Sequence, residues 1–169
     1  WRGKAGTPMK KTAFVSAVTL MAFLGTYQIA FSHCEIPCGI YGDSLRIELL
    51  YEHIATIEKS MNQIIELSNA GDKNYNQIVR WVVNKEEHAQ KIQDIVTAYF
   101  MAQRIKPPAS HDDEKVVNEY LHKLALLHAI QVHAMKAKQT TDLGTVETLR
   151  ELVAKFRTAY FGEEGGHKH

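Results

Sequence analysis

At 169 residues, with 45% hydrophobic and 23% charged residues, the chain has the size and composition of one globular domain rather than a disordered or fibrous one. Its formal charge of +1 depends on four bases in residues 1–32 (Arg2, Lys4, Lys10 and Lys11), where no acid occurs; beyond them 16 bases face 19 acids, a charge of −3. That balance argues against a nucleic-acid partner, which calls for a basic excess.

Met9 reads as a start, followed by Lys10-Lys11 and an apolar stretch from Thr12 to about Phe31. A basic start, an apolar run and the small-x-small ending Ala30-Phe31-Ser32 are the marks of a cleavable leader. Residues 1–32 are therefore expected to be upstream residues and a signal or propeptide, removed by a processing peptidase. The expected location is exported, periplasmic or extracytoplasmic, with no stable membrane association after cleavage. A cytoplasmic propeptide removed by a dedicated protease is the alternative. A retained anchor would need about 20 apolar residues, and Gly25, Tyr27 and Gln28 weaken that reading.

Cleavage after Ser32 uncovers the run His33-Cys34-Glu35-Ile36-Pro37-Cys38-Gly39-Ile40-Tyr41. The new amine of His33, the deprotonated amide nitrogen of Cys34 and the Cys34 sulfur close two fused five-membered chelate rings. Pro37 fixes its own φ and restricts Ile36, while Gly39 permits unusual backbone angles. A turn there brings the Cys38 sulfur to a fourth corner, and the His33 imidazole is free to approach along the axis. Planar coordination by two nitrogens and two sulfurs points to nickel or copper rather than tetrahedral zinc. By spacing alone a Cys34–Cys38 disulfide is an equal reading; the histidine at the cleavage point favours metal. Tyr41 either packs the hook or holds water and small anions beside it.

The string H-C-x-x-P-C-G-x-Y at a processed N-terminus resembles the nickel superoxide dismutase family. The resemblance implies His33, Cys34 and Cys38 as nickel ligands, one nickel ion per subunit, Tyr41 beside them, and superoxide as the substrate. It also implies conversion of superoxide to dioxygen and hydrogen peroxide through Ni(II)/Ni(III) cycling, and a homohexamer of four-helix subunits. Glu35 stands where the family often has Asp. Arg46-Ile47-Glu48 resembles a segment whose Glu orients the axial histidine. Tyr99-Phe100 and Lys106-Pro107-Pro108 match a further stretch, and His88, with Arg80 two turns earlier, falls near a position that completes the contact to that histidine. Glu48, Tyr99 and His88 are thus the candidates for supporting the hook. The rival functions are an exported nickel or copper carrier with the same hook, and a thiol–disulfide redox protein using Cys34 and Cys38.

Beyond the hook (33–43), residues 44–161 are expected to form an all-α, up-down antiparallel four-helix bundle. Asp43 or Ser44 is expected to cap a first helix ending at Gly71, with Ile47, Leu50, Ile54, Ile57, Met61 and Ile64 as its buried stripe. A second helix, from about Asn74 to Arg104, presents Ile78, Val82, Ala89, Ile92, Val96 and Tyr99 and stops before Pro107-Pro108. A third, from Asp112 to Lys138, is expected to bury Val117, Leu121, Leu124 and His128. The fourth runs from Thr145 to Phe161 on Val146, Leu149, Val153, Phe156 and Tyr160. The tail, 162–169, is expected to be flexible, with His167 and His169 in solvent. A di-iron centre would need two Glu-x-x-His pairs in the bundle core; Glu119/His122 is one, but Glu164/His167 lies in the tail.

Overall fold

The computed structural model describes residues 42–71 and 74–162. The leader, the hook residues His33, Cys34, Cys38 and Tyr41, and the tail with Glu164, His167 and His169 lie outside them. Among the described residues there are four helices and no strand: α1 (Asp43–Asn69), α2 (Tyr75–Asp94, running on as a π-helix over Ile95–Arg104), α3 (Glu114–Gln139) and α4 (Leu143–Phe161). None of them is long and apolar enough to cross a membrane.

Cross-helix contacts fix the topology. Asp43 of α1 meets Arg104 of α2, His53 meets His88, and Ser60 meets Asn84. Rising numbers on one helix therefore face falling numbers on the other. The same reversal holds between α2 and α3, where Lys85 reaches Ala137 and Gln93 reaches Gln131. It holds again between α1 and α4, where Glu48 meets Arg157 and Glu58 meets Arg150. This is the up-down antiparallel bundle that short connections favour. One end gathers the start of α1 and the ends of α2 and α4; the C-terminus of α3 lies at the other.

The stripe expected on α1 is buried as a whole, from Ile47 to Ile64, and so are Val146, Leu149, Val153 and Phe156 of α4. Phe100 sits edge-on to both Phe156 (4.9 Å between centroids) and Tyr160 (5.6 Å), a geometry that favours aromatic pairs beyond their buried area. The helix ends follow local chemistry. Gly71 and Gly162 adopt φ of +65° and +82°, conformations that end a helix at little cost only for glycine. Asp113 caps α3 by accepting from the backbone N–H groups of Lys115 and Val116, and Asp142 caps α4 by accepting from Gly144.

Three expectations are corrected. Gly42, not Asp43 or Ser44, occupies the cap position of α1, without a side-chain cap; the Asp43 carboxylate is engaged elsewhere. On α2, Ile78 and Val82 are only half-buried, because the first part of that helix carries its core contacts further along, at Ala89 and Ile92. On α3, Leu121 is 52% exposed, His128 is exposed, and Val117 and Leu124 are half-buried. The buried face runs instead through Leu126, Leu127, Ile130, Ala134 and Ala137. Leucines surround this helix, and two of its fully buried positions are the small residues Ala134 and Ala137.

The π-helical stretch was not expected. Its widened turn is seen where the Ile105 N–H donates to Phe100 O at 2.9 Å, five residues back. In an α-helix, residues five apart point about 140° from one another; hydrogen bonding to the fifth residue brings them onto one face. The pairs Ile95/Val96 and Tyr99/Phe100 all reach the core as a result.

Candidate metal centre

At the bundle end where α1 starts, one carboxylate ties three helices together. Tyr99 Oη donates to Asp43 Oδ1, and Arg104 Nε donates to the same oxygen at 2.9 Å. Tyr160 Oη donates to Oδ2 at 2.7 Å. Arg104 Nη2 also donates to Tyr99 Oη at 2.9 Å, a contact that the π-turn between residues 99 and 104 makes possible. The guanidinium carbons of Arg46 and Arg104 lie 5.0 and 4.8 Å from the centroid of the Tyr99 ring, within the range of cation–π attraction. Arg46 Nε is a buried donor with no acceptor among the described residues.

The electrostatics follow from these contacts. Burial alone would raise the pKa of Asp43, but hydrogen bonds from Tyr99 and Tyr160 and the charge of Arg104 hold it below the usual carboxylate value. Burial, followed by hydrogen bonding to Asp43, pushes the pKa of both Tyr99 and Tyr160 up. At neutral pH both phenols keep their protons, and those protons are directed at Asp43.

The candidate supporting residues are spread along the bundle. Tyr99 is fully buried within this network. Glu48, one turn further along α1, pairs with Arg157 at 3.4 Å, its side chain 58% exposed; an exposed pair of this kind is weak. His88 lies further from the start of α1, against His53, with Nδ1 atoms 3.1 Å apart and rings nearly perpendicular. Arg80 lines a surface groove with Trp81 and Asn84. Glu119 and His122 line an open cleft of ≈ 720 Å³ between α3 and α4. No group of three or more His, Cys, Asp or Glu side chains among the described residues is placed to hold a metal ion. Asp43, Arg104 and Tyr160 were not singled out from the sequence as site residues. Asp43 and Arg104 sit at helix ends, where periodicity gives no signal, and for Tyr160 the periodicity marked only a place on the apolar stripe of α4.

The His53–His88 pair has a measurable consequence. Burial first, and then the cations His88 and Lys91, lower the pKa of His53, opposed by Glu52. Burial and Lys91 lower that of His88, opposed by Glu87 and Glu52. The folded state therefore prefers the neutral pair, and its contribution is complete above the ordinary histidine value of about 6.5 and is lost as pH falls below it. Thermal melts are expected to show stability declining as pH falls below about 6.5, with a shallower decline in His88→Gln. An equal slope in both proteins would exclude the pair as the cause.

The hook itself lies outside the described residues, so its fit to a metal is judged on donor chemistry. An amine, an amidate and two thiolates are strong-field donors that suit a planar, redox-active ion, and hard cations such as magnesium or calcium would select oxygens instead. No curated protein and no solved structure matches the chain. The family model for nickel-containing superoxide dismutase matches residues 28–164, a span that includes the hook motif and all four helices. On that match the chain belongs to the nickel-containing superoxide dismutases, oxidoreductases that act on superoxide with a nickel cofactor.

Proposed function

We propose that the working enzyme is the chain beginning at His33, after a peptidase has removed residues 1–32 during export. The observation that carries this reading is the run His33-Cys34-x-x-Pro37-Cys38-Gly39-x-Tyr41 directly after an apolar leader. The His33 amine and imidazole, the Cys34 amide and thiolate, and the Cys38 thiolate would hold one nickel ion per subunit. Nickel bound there supplies one-electron chemistry between the divalent and trivalent states, made accessible by electron-rich sulfur and amidate donors.

The net reaction, 2 O₂⁻ + 2 H⁺ → O₂ + H₂O₂, consumes two protons. Tyr99 is a poor source, since its hydroxyl is committed to Asp43. Tyr41, at the end of the hook, is the better local relay. Glu48 is the candidate acceptor for the His33 imidazole, because its exposed pairing with Arg157 leaves it able to turn. The negative charge of the mature chain means that any attraction of superoxide must be local, and Arg46 and Arg104 provide positive charge at the end where the hook joins the bundle. A homo-oligomer, a hexamer by likeness to the family, is supported by an apolar stripe on α2. There Tyr75, Val79 and Val83 are 67%, 59% and 49% exposed at the four-residue spacing that puts them on one face.

The test is the N-terminal residue, nickel content and dismutase activity of the protein from cells that process it. The expected result is a chain starting at His33, about one nickel per subunit as one donor set implies, and superoxide dismutation that disappears on chelation. A chain retaining residues before His33, or one that is metal-free with Cys34 and Cys38 bridged, would overturn the proposal.

A further inference from the structure

We infer that the Asp43 carboxylate, held by Tyr160, Arg104 and Tyr99, is the latch that positions the nickel hook on the bundle, and that Asp43, Arg104 and Tyr160 are positioning residues for the reaction. The inference rests on the hook being the nickel site.

Asp43 is the first residue of α1, two residues after Tyr41 and five after Cys38. Five residues of extended chain reach at most about 17 Å, so wherever Asp43 is fixed, the second thiolate is confined nearby. The first turn of a helix has no preceding turn to bond to and is the part that opens most easily. Opening of this turn would let the hook swing, and a metal site needs its donors placed to within about 0.5 Å. An ordinary acidic residue at this position would face the free backbone N–H groups of its own helix. Asp43 faces away from them, and each of its oxygens is bound to another helix: Oδ1 to Arg104 at 2.9 Å and to Tyr99, Oδ2 to Tyr160 at 2.7 Å. Three side chains from two other helices, 56 to 117 residues away in sequence, converge on one carboxylate. The hydrophobic core already joins these helices, so this polar clasp adds orientation where the core adds cohesion.

The latch can be separated from general stability. Asp43→Asn keeps the shape but removes the charge and turns one acceptor into a donor, which faces the donors Tyr99, Arg104 and Tyr160. Tyr160→Phe removes a single hydrogen bond. Both would be made in the chain beginning at His33, loaded with nickel, and followed by nickel loss to a chelator, by the electron paramagnetic resonance of the oxidised protein, and by helical circular dichroism. Asp43→Asn is expected to speed nickel loss about tenfold or more, the range seen when residues behind metal ligands are changed. It should also alter the spectrum while helical content at 25 °C is kept. Tyr160→Phe is expected to do the same to a smaller degree, and Asp43→Glu, which restores the charge, to recover part of the retention. A parent that holds nickel, beside variants that hold it as long with the same spectrum, overturns the latch and leaves the hook intact. A parent that takes up no nickel overturns the hook reading and the latch together.

Discussion

A chain carrying a single extra residue ahead of His33 is expected to bind no nickel and to lose dismutase activity by at least about a hundredfold, the scale of losing a metal-ordering group. The extension turns the terminal amine into an amide. An amide nitrogen donates to a metal only after losing its proton, and the chelate ring that began at the amine would then need a second deprotonated amide. The helices contribute nothing to that ring, so the bundle should fold and melt as before. Nickel analysis and a superoxide assay, before and after proteolytic removal of the extra residue, check the expectation. Recovery on removal assigns the effect to the amine. Full activity with the residue in place would mean that the metal is held by another donor set. Cys34→Ser should give the same loss without recovery, since the hydroxyl is a far weaker donor than a thiolate. A thiol–disulfide protein would fail on Cys34→Ser as the dismutase does, but it would tolerate the extension.

The second large effect is expected at Lys85→Met, which should lower stability by about 3 kcal/mol, from buried carbonyls left without donors. Lys85 is only 3% exposed. Its ammonium donates to Ala137 O at 2.7 Å, Lys138 O at 2.6 Å and Thr140 O at 3.1 Å, one proton for each carbonyl. These are carbonyls at the C-terminus of α3, which have no intrahelical partner and carry the negative end of the helix dipole. Methionine fills most of the volume but offers no donor. Arginine keeps the charge, yet its planar fork cannot point three protons at three carbonyls converging on one point, so Lys85→Arg should also destabilise. Lys138, whose ammonium bonds to the side chains of Gln90 and Gln93 near the surface, provides the control: Lys138→Met should cost less than about 1 kcal/mol. Chemical denaturation of the three variants checks the order. Lys85 lies at the end of the bundle remote from Asp43, so Lys85→Met should keep its nickel under conditions where it remains folded.

How much could be read from the chain depended on whether the information was periodic. The buried faces of α1 and α4 were legible, because large aliphatic residues recur there at spacings of three and four. The buried face of α3 was not, because Leu121, Leu124, Leu126 and Leu127 lie around the helix and two of its fully buried positions are alanines. The cap of α1 was misjudged for a related reason: Asp43 has the chemistry of a cap, but Tyr99, Arg104 and Tyr160 compete for its oxygens more effectively than its own backbone does. The widened turn at residues 95–104 leaves no mark in the hydrophobic pattern. The family was legible because the run His33-Cys34-x-x-Pro37-Cys38-Gly39-x-Tyr41 is a local signal that needs no tertiary partner, and the family model matches residues 28–164. The Asp43 clasp is built from residues distant in sequence and became visible only in three dimensions.

The widened turn of α2 also bears on how this enzyme can vary. Arg104 reaches the Tyr99 hydroxyl because of the number of residues between them, and not only because of what those residues are. Removing one residue from 100–103 would restore ordinary helical phase and rotate the arginine about a quarter-turn or more around the axis. The donor string of the hook would be untouched by such a deletion. Insertions and deletions in this segment are therefore a direct route by which related chains could gain or lose the Arg104 contact to Tyr99 and Asp43.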